Sequence, residues 1–371
     1  MRTDIPRWRR PVRNPHVTQT LALCRHGEER LTQVESRPLE RVLSDSAPQL
    51  VYRRRKGELK TVCHWGQRKL LMSEIEFLTL YARPGVTFTV VYAGAAPGTH
   101  ISYLSTLFPD VKFVCVDPAP FTCRETTNIE LCTGMFSDSV ASRFSDRSKY
   151  PRVLFVSDIR TADHDEQSEA EVDFRIREDM KDQQRWHTII QPVASMLKFR
   201  LSWEPGTTEY LDGEVYLPIW GPVSTTESRL VVTAKDTTRQ WDNTKYERQM
   251  FYFNTQTRVT IYDHPVQSGH IDATGLCHCY DCTAEVGVLR AYLRKFQWRE
   301  TRRLSSEDWN RQIANMTRVV SARCSPVRVL SDPNPDPVSR KRKIRERQHV
   351  DDGRGGRRSA YEGLIMDTHP L

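Results

Sequence analysis

The chain has 371 residues, with 55 Lys and Arg against 47 Asp and Glu and a formal net charge of +8. That length accommodates one large domain with extensions, or two domains, and the positive balance suits a polyanionic partner. No run of about 18 apolar residues occurs, which argues against a membrane-spanning helix and a membrane partner. The basic start MRTDIPRWRRPVRNP lacks the apolar stretch of a secretory signal.

Residues 1–50 mix Arg, Pro and Ser with little periodicity and read as a basic, poorly ordered extension. Gln67 to Tyr81 (QRKLLMSEIEFLTLY) carries apolar residues at close to helical spacing. Phe88 to Tyr92 is a short β-branched run, the pattern of a buried parallel strand. The turn GAAPG follows, with Gly94 and Gly98 bracketing it and Pro97 placed where a helix could begin. His100 to Phe108 continues a helix. Lys112 to Val116 is a second buried strand, with Asp117 at its carboxyl end.

A short strand is expected near Glu130 to Cys132, and a buried strand over Arg152 to Ser157 ends at Asp158. A helix runs from about Glu169 to Ile190. Strands are expected over 192–200 and 230–234, and Met250 to Phe253 falls among closing elements. Alternation of this kind predicts an α/β fold, a doubly wound, mostly parallel sheet with helices on both faces. The domain is expected over 51–300 with a helical end at 301–325. From Pro326 on, four prolines in SPVRVLSDPNPDP, then RKRKIRER and GRGGRR, read as a disordered basic tail.

In such a sheet, ligands bind beyond the carboxyl ends of the strands. A glycine turn admits a ligand close to the backbone, and an acid about 20 residues later accepts ribose hydroxyls. GAAPG departs from the G-x-G-x-x-G that cradles a pyrophosphate, so a nucleoside ligand without phosphates, such as S-adenosylmethionine, fits better than a dinucleotide. Four polar residues sit at segment edges: Lys69, Asp158, Lys198 and Glu227. Lys198 lies in an otherwise apolar strand, where an unpaired charge is costly, and a buried lysine near a second cation can serve as a base.

The segments GQRKLLMSEIEFLTLY (66–81), VVYAGAAPGTH (90–100), VLFVSDIRT (153–161), PVASMLKFR (192–200), ESRL (227–230) and YERQMFYFN (246–254) occur in this order. Together they resemble the poxvirus-type cap-specific mRNA nucleoside 2′-O-methyltransferases, proteins that also serve poly(A) polymerase as a processivity subunit. The resemblance covers about residues 60–262. It implies the Rossmann-like fold of S-adenosylmethionine-dependent methyltransferases, capped mRNA as substrate and a poly(A) polymerase catalytic subunit as a partner. It implies an intracellular setting, the nucleus or, for a viral protein, the viral factory or virion.

By motif, the family's catalytic Lys-Asp-Lys-Glu set falls on Lys69, Asp158, Lys198 and Glu227. Its cofactor site falls on Tyr92, Gly94, Ala96, Pro97, Gly98, His100, Asp117 and Asp158. Its cap site falls on Trp203 as a stacking aromatic and Glu247 as a carboxylate. Where a second carboxylate is expected the chain has Pro205, with Glu204 adjacent. Tyr52 is assigned as the other stacking aromatic. Two further functions remain compatible with these residues: a non-catalytic RNA-binding or polymerase-processivity subunit, and a 2′-O-methyltransferase for uncapped RNA.

Outside the resemblance, HPVQSGHIDATGLCHCYDC (264–282) offers Cys277, Cys279 and Cys282, with His270 or His278, as a Cys3His zinc set. Buried thiols at the start of the helix TAEVGVLRAYLRKF explain the same residues. The nine cysteines are otherwise scattered, as in a reducing compartment.

Overall fold

The computed structural model describes residues 34–35, 39–53, 66–162, 166–222, 225–233, 237–259, 261–262, 264, 266, 276, 279–297 and 303–323. The basic tail lies outside them, as do Cys277, His270 and His278. Strands in chain order are β1 (Val34–Glu35), β2 (Phe88–Ala93), β3 (Val111–Asp117), β4 (Ile129–Thr133), β5 (Val153–Ser157), β6 (Ala194–Phe199), β7 (Thr207–Leu211), β8 (Glu214–Tyr216), β9 (Ser228–Thr233), β10 (Thr238–Asp242) and β11 (Ile261–Tyr262). Helices are α1 (Gly66–Tyr81), α2 (Ile101–Leu107), α3 (Asp138–Arg143), α4 (Glu169–Ile190), α5 (Asn243–Thr255), α6 (Tyr280–Phe296) and α7 (Ser306–Arg323). No described helix is long and apolar enough to cross a membrane.

Seven strands form one sheet in the order β4-β3-β2-β5-β6-β9-β8. The pairings from β4 to β6 are parallel, and β9 runs antiparallel to both β6 and β8. Every residue of β2 and β5 is buried, so both faces of the sheet are covered, as alternating side chains require. Helix α1 packs on α6 while α3 packs on α4. The chain leaves β2 for β3 on one side and returns to β5 on the other, which makes the carboxyl ends of β2 and β5 the switch point of the sheet.

Local chemistry explains the elements that frame this point. Helix α4 opens on a capping box: Ser168 Oγ accepts the Glu171 N–H while Glu171 accepts the Ser168 N–H. Arg68 of α1 is buried against Glu285 of α6, with nitrogen–oxygen distances of 2.6 and 2.7 Å, and Glu285 also accepts the Trp220 indole N–H at 2.8 Å. This three-way lock fixes the first turn of α1 and hence its neighbour Lys69.

Two expectations are corrected. Pro97 does not begin a helix: Gly98 has φ of +68°, a left-handed conformation that cannot continue into α-helix, and α2 starts at Ile101. Residues 39–50 are not a loose extension. Arg41 pairs with Glu76 at 2.8 Å and donates to the Leu217 carbonyl, Leu43 N–H bonds Val215, and Leu50 N–H bonds Arg248. Met250 to Phe253 belongs to helix α5, and β7, β8 and β10 were not anticipated.

Candidate active site

Four elements deliver charged side chains to one point beyond the switch strands. Lys69 comes from α1, Asp158 from the end of β5, Lys198 from β6 and Glu227 from the approach to β9. Lys69 Nζ lies 2.6 Å from Glu227 Oε1, and Lys198 Nζ lies 3.2 Å from Asp158 Oδ1 and 3.8 Å from Glu227 Oε2. The structure therefore brings together all four residues singled out by sequence.

Arg229 completes the cluster. Its guanidinium is 2.7 Å from Asp158 Oδ1 and 3.3 Å from Glu227 Oε1, and its side chain is only 6 % exposed. A further cation, Arg160, stands 3.8 Å from Glu227 Oε2. Sequence reading passed over both arginines. The signal for Arg229 was its place two residues beyond Glu227, since alternate residues of a strand share a face.

The electrostatics follow from crowding these groups away from water. Burial pushes the Lys69 pKa down, and the neighbouring Arg229 and Lys198 push the same way, so that Glu227 only partly offsets them. Burial pushes the Glu227 carboxyl up, but Lys69, Lys198 and Arg229 outweigh it and hold its pKa well below the ordinary value. Asp158 behaves alike: burial raises it, and Lys198 and Arg229 leave it lowered.

A cavity of about 310 Å³ meets the cluster at Asp158 and is lined by Gly94, Ala96, Asp117, Met135, Phe136, Asp158 and Arg160, among others. Gly94 has φ of +77°, and a Cβ there would meet Ile159 N at 2.8 Å, so only glycine lets β2 turn against the end of β5. Asp117 accepts the Ala96 N–H at 3.0 Å and the Ala119 N–H at 2.8 Å. Each carboxylate oxygen retains acceptor capacity for vicinal hydroxyls of a ligand. Met135 and Phe136 supply an apolar surface for a flat base.

Tyr92, Pro97, Gly98 and His100 do not line this cavity. Tyr92 and His100 are buried beneath the turn, where His100 Nε2 is 2.9 Å from Glu74 and Nδ1 is 3.0 Å from Gln67. Burial would lower the His100 pKa, but the Glu74 carboxylate more than compensates and raises it. These residues tie the glycine turn to α1.

A second cavity, of about 400 Å³, is lined by Tyr52, Glu169, Trp203, Thr225, Thr226, Glu247, Phe251 and Asn254. Trp203 and Tyr52 are 43 % and 50 % exposed. Helix α5 shapes this wall twice over. It carries Glu247 and Phe251, and its Tyr246 and Asn254 bond the Thr226 and Thr225 carbonyls at 2.6 and 2.7 Å, fixing the segment that leads to Glu227. Asp173 of α4 holds Ser202 at 2.6 Å and Arg200 at 3.2 Å, and the Arg200 guanidinium lies 3.6 Å from the Trp203 ring centre. One face of that indole is thus covered by a cation. Tyr52 meets Phe251 edge to face at 5.2 Å. Burial raises the Glu247 pKa above the ordinary value.

Glu204 does not line this cavity; its N–H bonds Ser202 and its carbonyl accepts from Asn243. Glu169 and Phe251 line it and were missed, because nothing local marks a helix-start acid or a helical phenylalanine as pocket residues. As to the zinc set, Cys282 is buried and Cys279 caps α6, and no group of three metal-competent side chains exists among the described residues.

The family model described as "Poly A polymerase regulatory subunit" matches residues 37–286, well over half of the chain. The chain belongs to the poly(A) polymerase regulatory subunit family. Family relatives include the cap-specific mRNA (nucleoside-2′-O-)-methyltransferase of Myxoma virus (strain Lausanne). It is 29 % identical over 223 residues, which cover 54 % of this chain and 64 % of the relative. The protein of the same name from Fowlpox virus (strain NVSL) is 26 % identical over 226 residues, 54 % of this chain and 71 % of the relative. The match thus spans under two thirds of the Myxoma protein's length. Among solved structures, bluetongue virus VP4, titled as a multifunctional RNA-capping production line, aligns with 62 % of this chain and 37 % of its own. Its identity is 12 % and its TM-score 0.38, too slight a likeness to bear on function. The family assignment accords with the parallel sheet and its switch point.

Proposed function

We propose that this chain is an S-adenosylmethionine-dependent methyltransferase acting on the ribose 2′-hydroxyl of the first transcribed nucleotide or nucleotides of 7-methylguanosine-capped mRNA. One observation carries the reading. The cluster of Lys69, Asp158, Lys198 and Glu227 adjoins two cavities: Asp158 lines the first, and Thr225 and Thr226 of the second lead directly into Glu227. The named activity of the Myxoma and Fowlpox relatives supports it.

The first cavity fits the cofactor. Asp117 is placed for ribose hydroxyls, Met135 and Phe136 for the adenine, and the Gly94 turn for close backbone approach. When bound, S-adenosylmethionine supplies an electrophilic methyl group. Lys198 holds the acceptor hydroxyl, and its link to Asp158 fixes the position of its amine. As a free amine it takes the hydroxyl proton; as an ammonium it steers the oxygen. Lys69 and Arg229 keep Asp158 and Glu227 ionised, so the acids orient the lysines and do not compete for the proton. Much of the rate enhancement then comes from alignment.

The second cavity fits the cap. A 7-methylguanine ring is flat and cationic, and it stacks on the free face of Trp203 with Tyr52 opposite. Glu247 accepts from the guanine donor edge. The test is retention on immobilised 7-methylguanosine and elution by the free cap analogue. Equal affinity for capped and uncapped RNA would remove the cap from this reading. The family match supports a second role as partner of a poly(A) polymerase catalytic subunit, tested by co-purification with such an enzyme. Both relatives are poxvirus proteins, so the expected setting is viral mRNA synthesis in an infected cell.

A further inference from the structure

Arg160 has charge and hydrogen bonds to spare. Both terminal guanidinium nitrogens are buried, and neither has a hydrogen-bond partner. Its side chain is 14 % exposed. A buried guanidinium whose terminal nitrogens make no hydrogen bond is costly and uncommon in native structures. The nearest carboxylates do not complete it. Asp179 lies 3.6 Å away, but its two oxygens already accept the Thr161 N–H at 3.0 Å and the Thr161 hydroxyl at 2.7 Å. Glu227 lies 3.8 Å away, and its other oxygen already serves Lys69 and Arg229. Lys69, Arg160, Lys198 and Arg229 therefore face Asp158, Asp179 and Glu227 with one positive charge in excess.

The position of this charge narrows what it receives. Arg160 Nη2 and Lys198 Nζ approach the same oxygen, Glu227 Oε2, each at 3.8 Å. Arg160 also lines the cavity beyond Gly94. A 2′-hydroxyl seated on Lys198 brings its neighbour with it, because the 3′-phosphate is bonded to the adjacent ribose carbon. A planar guanidinium fork matches two oxygens of a phosphodiester.

We infer that Arg160 binds a substrate oxyanion, the phosphodiester on the 3′ side of the acceptor ribose, and so sets which 2′-hydroxyl reaches Lys198. This rests on the reading of the site as a ribose methyltransferase. An amino-acid carboxylate on the cofactor offers the same oxyanion chemistry, and the experiment separates the two.

The experiment measures wild-type protein, Arg160→Ala and Arg160→Lys against two ligands. Binding of a short capped RNA is followed by anisotropy across a salt series, beside the same RNA with a neutral methylphosphonate at that one linkage. Binding of S-adenosylhomocysteine is followed by calorimetry, and thermal melts report folding. Arg160→Ala is expected to weaken the RNA about ten- to hundredfold, the range for hydrogen bonds to charged groups. The slope of log affinity against log salt should fall by about 0.7, the value for one lost single-strand phosphate contact. The methylphosphonate RNA should bind wild type and Arg160→Ala alike, and S-adenosylhomocysteine affinity should not change. Arg160→Lys should keep the salt slope and lose part of the affinity.

Weakened S-adenosylhomocysteine binding with an unchanged RNA slope would overturn the assignment in favour of the cofactor carboxylate. Unchanged binding of both would overturn it outright. Methyl transfer by wild type with no Arg160 effect defeats this inference alone; an Arg160-dependent salt slope without methyl transfer defeats the activity alone.

Discussion

Lys198 and Arg229 stand directly opposite each other in the antiparallel ladder of β6 and β9, and both reach the same oxygen of Asp158, at 3.2 and 2.7 Å. Two like charges placed opposite on neighbouring strands repel. Here the repulsion is absorbed by the carboxylate between them, which makes Asp158 the counter-ion of a cationic pair.

Arg229 is accordingly a structural requirement as well as a neighbour of Asp158 and Glu227. Removing one partner from a buried ion pair costs about 3–5 kcal/mol. Lys198 and Lys69 remain as partners for the two acids, so Arg229→Ala should fall at the lower end, about 3 kcal/mol, in urea denaturation. Arg229→Lys should recover part of that loss.

Acid stability should depend on Glu227. Its folded pKa lies well below the ordinary 4.5 because Lys69, Lys198 and Arg229 overcome the upward push of burial. The native state therefore binds fewer protons than the unfolded chain in the window below pH 4.5, and stability is lost as pH falls through it. The deficit of Glu227→Gln against wild type should be constant from pH 7 to about 5 and shrink below 4.5. Melting temperatures across pH 3–7 check this; a deficit that grows on acidification would contradict it.

Cap selectivity should rest on Trp203 and Glu247. Trp203→Ala should lower the preference for a 7-methylated over an unmethylated guanine nucleotide about tenfold, which is about 1.4 kcal/mol and within the range of a partly desolvated cation–π contact. Burial raises the Glu247 pKa, so the contribution of its carboxylate should decline at a higher pH than for an exposed glutamate. Fluorescence titrations of Trp203 and Glu247 variants at pH 5, 6 and 7 measure both effects.

Gly94→Ala tests the turn. A left-handed φ costs an alanine about 1–2 kcal/mol. In addition its Cβ would meet Ile159 N at 2.8 Å and Asp158 C at 3.0 Å, so the end of β5 must shift. Loss of S-adenosylhomocysteine binding with a lowered melting temperature is expected. Unchanged binding would show that the turn does not shape the cofactor cavity.

The parallel core was legible because its strands are short, β-branched and flanked by a glycine turn and acids. The antiparallel half was not. β7, β8 and β10 are short, TTEYL and TRQWD are mostly polar, EVY is only three residues, and all three are only partly buried, so hydrophobic pattern alone does not separate them from loops. At the site, the four residues carried by motif converge. Arg160 and Arg229 were passed over because a sequence shows an arginine without showing that it is buried. Arg229 is placed by the β6–β9 register, and Arg160 by carboxylates distant in the chain.

The most direct test is methyl transfer from labelled S-adenosylmethionine to a short cap-0 RNA, compared with the uncapped RNA and one already 2′-O-methylated at its first nucleotide. Lys198→Ala serves as the control. The account predicts transfer to the cap-0 RNA alone, reduced in the variant by about 10²- to 10⁴-fold, the range for loss of a general acid–base group. Transfer to none of them, with capped RNA still bound, would contradict it and leave an RNA-binding subunit.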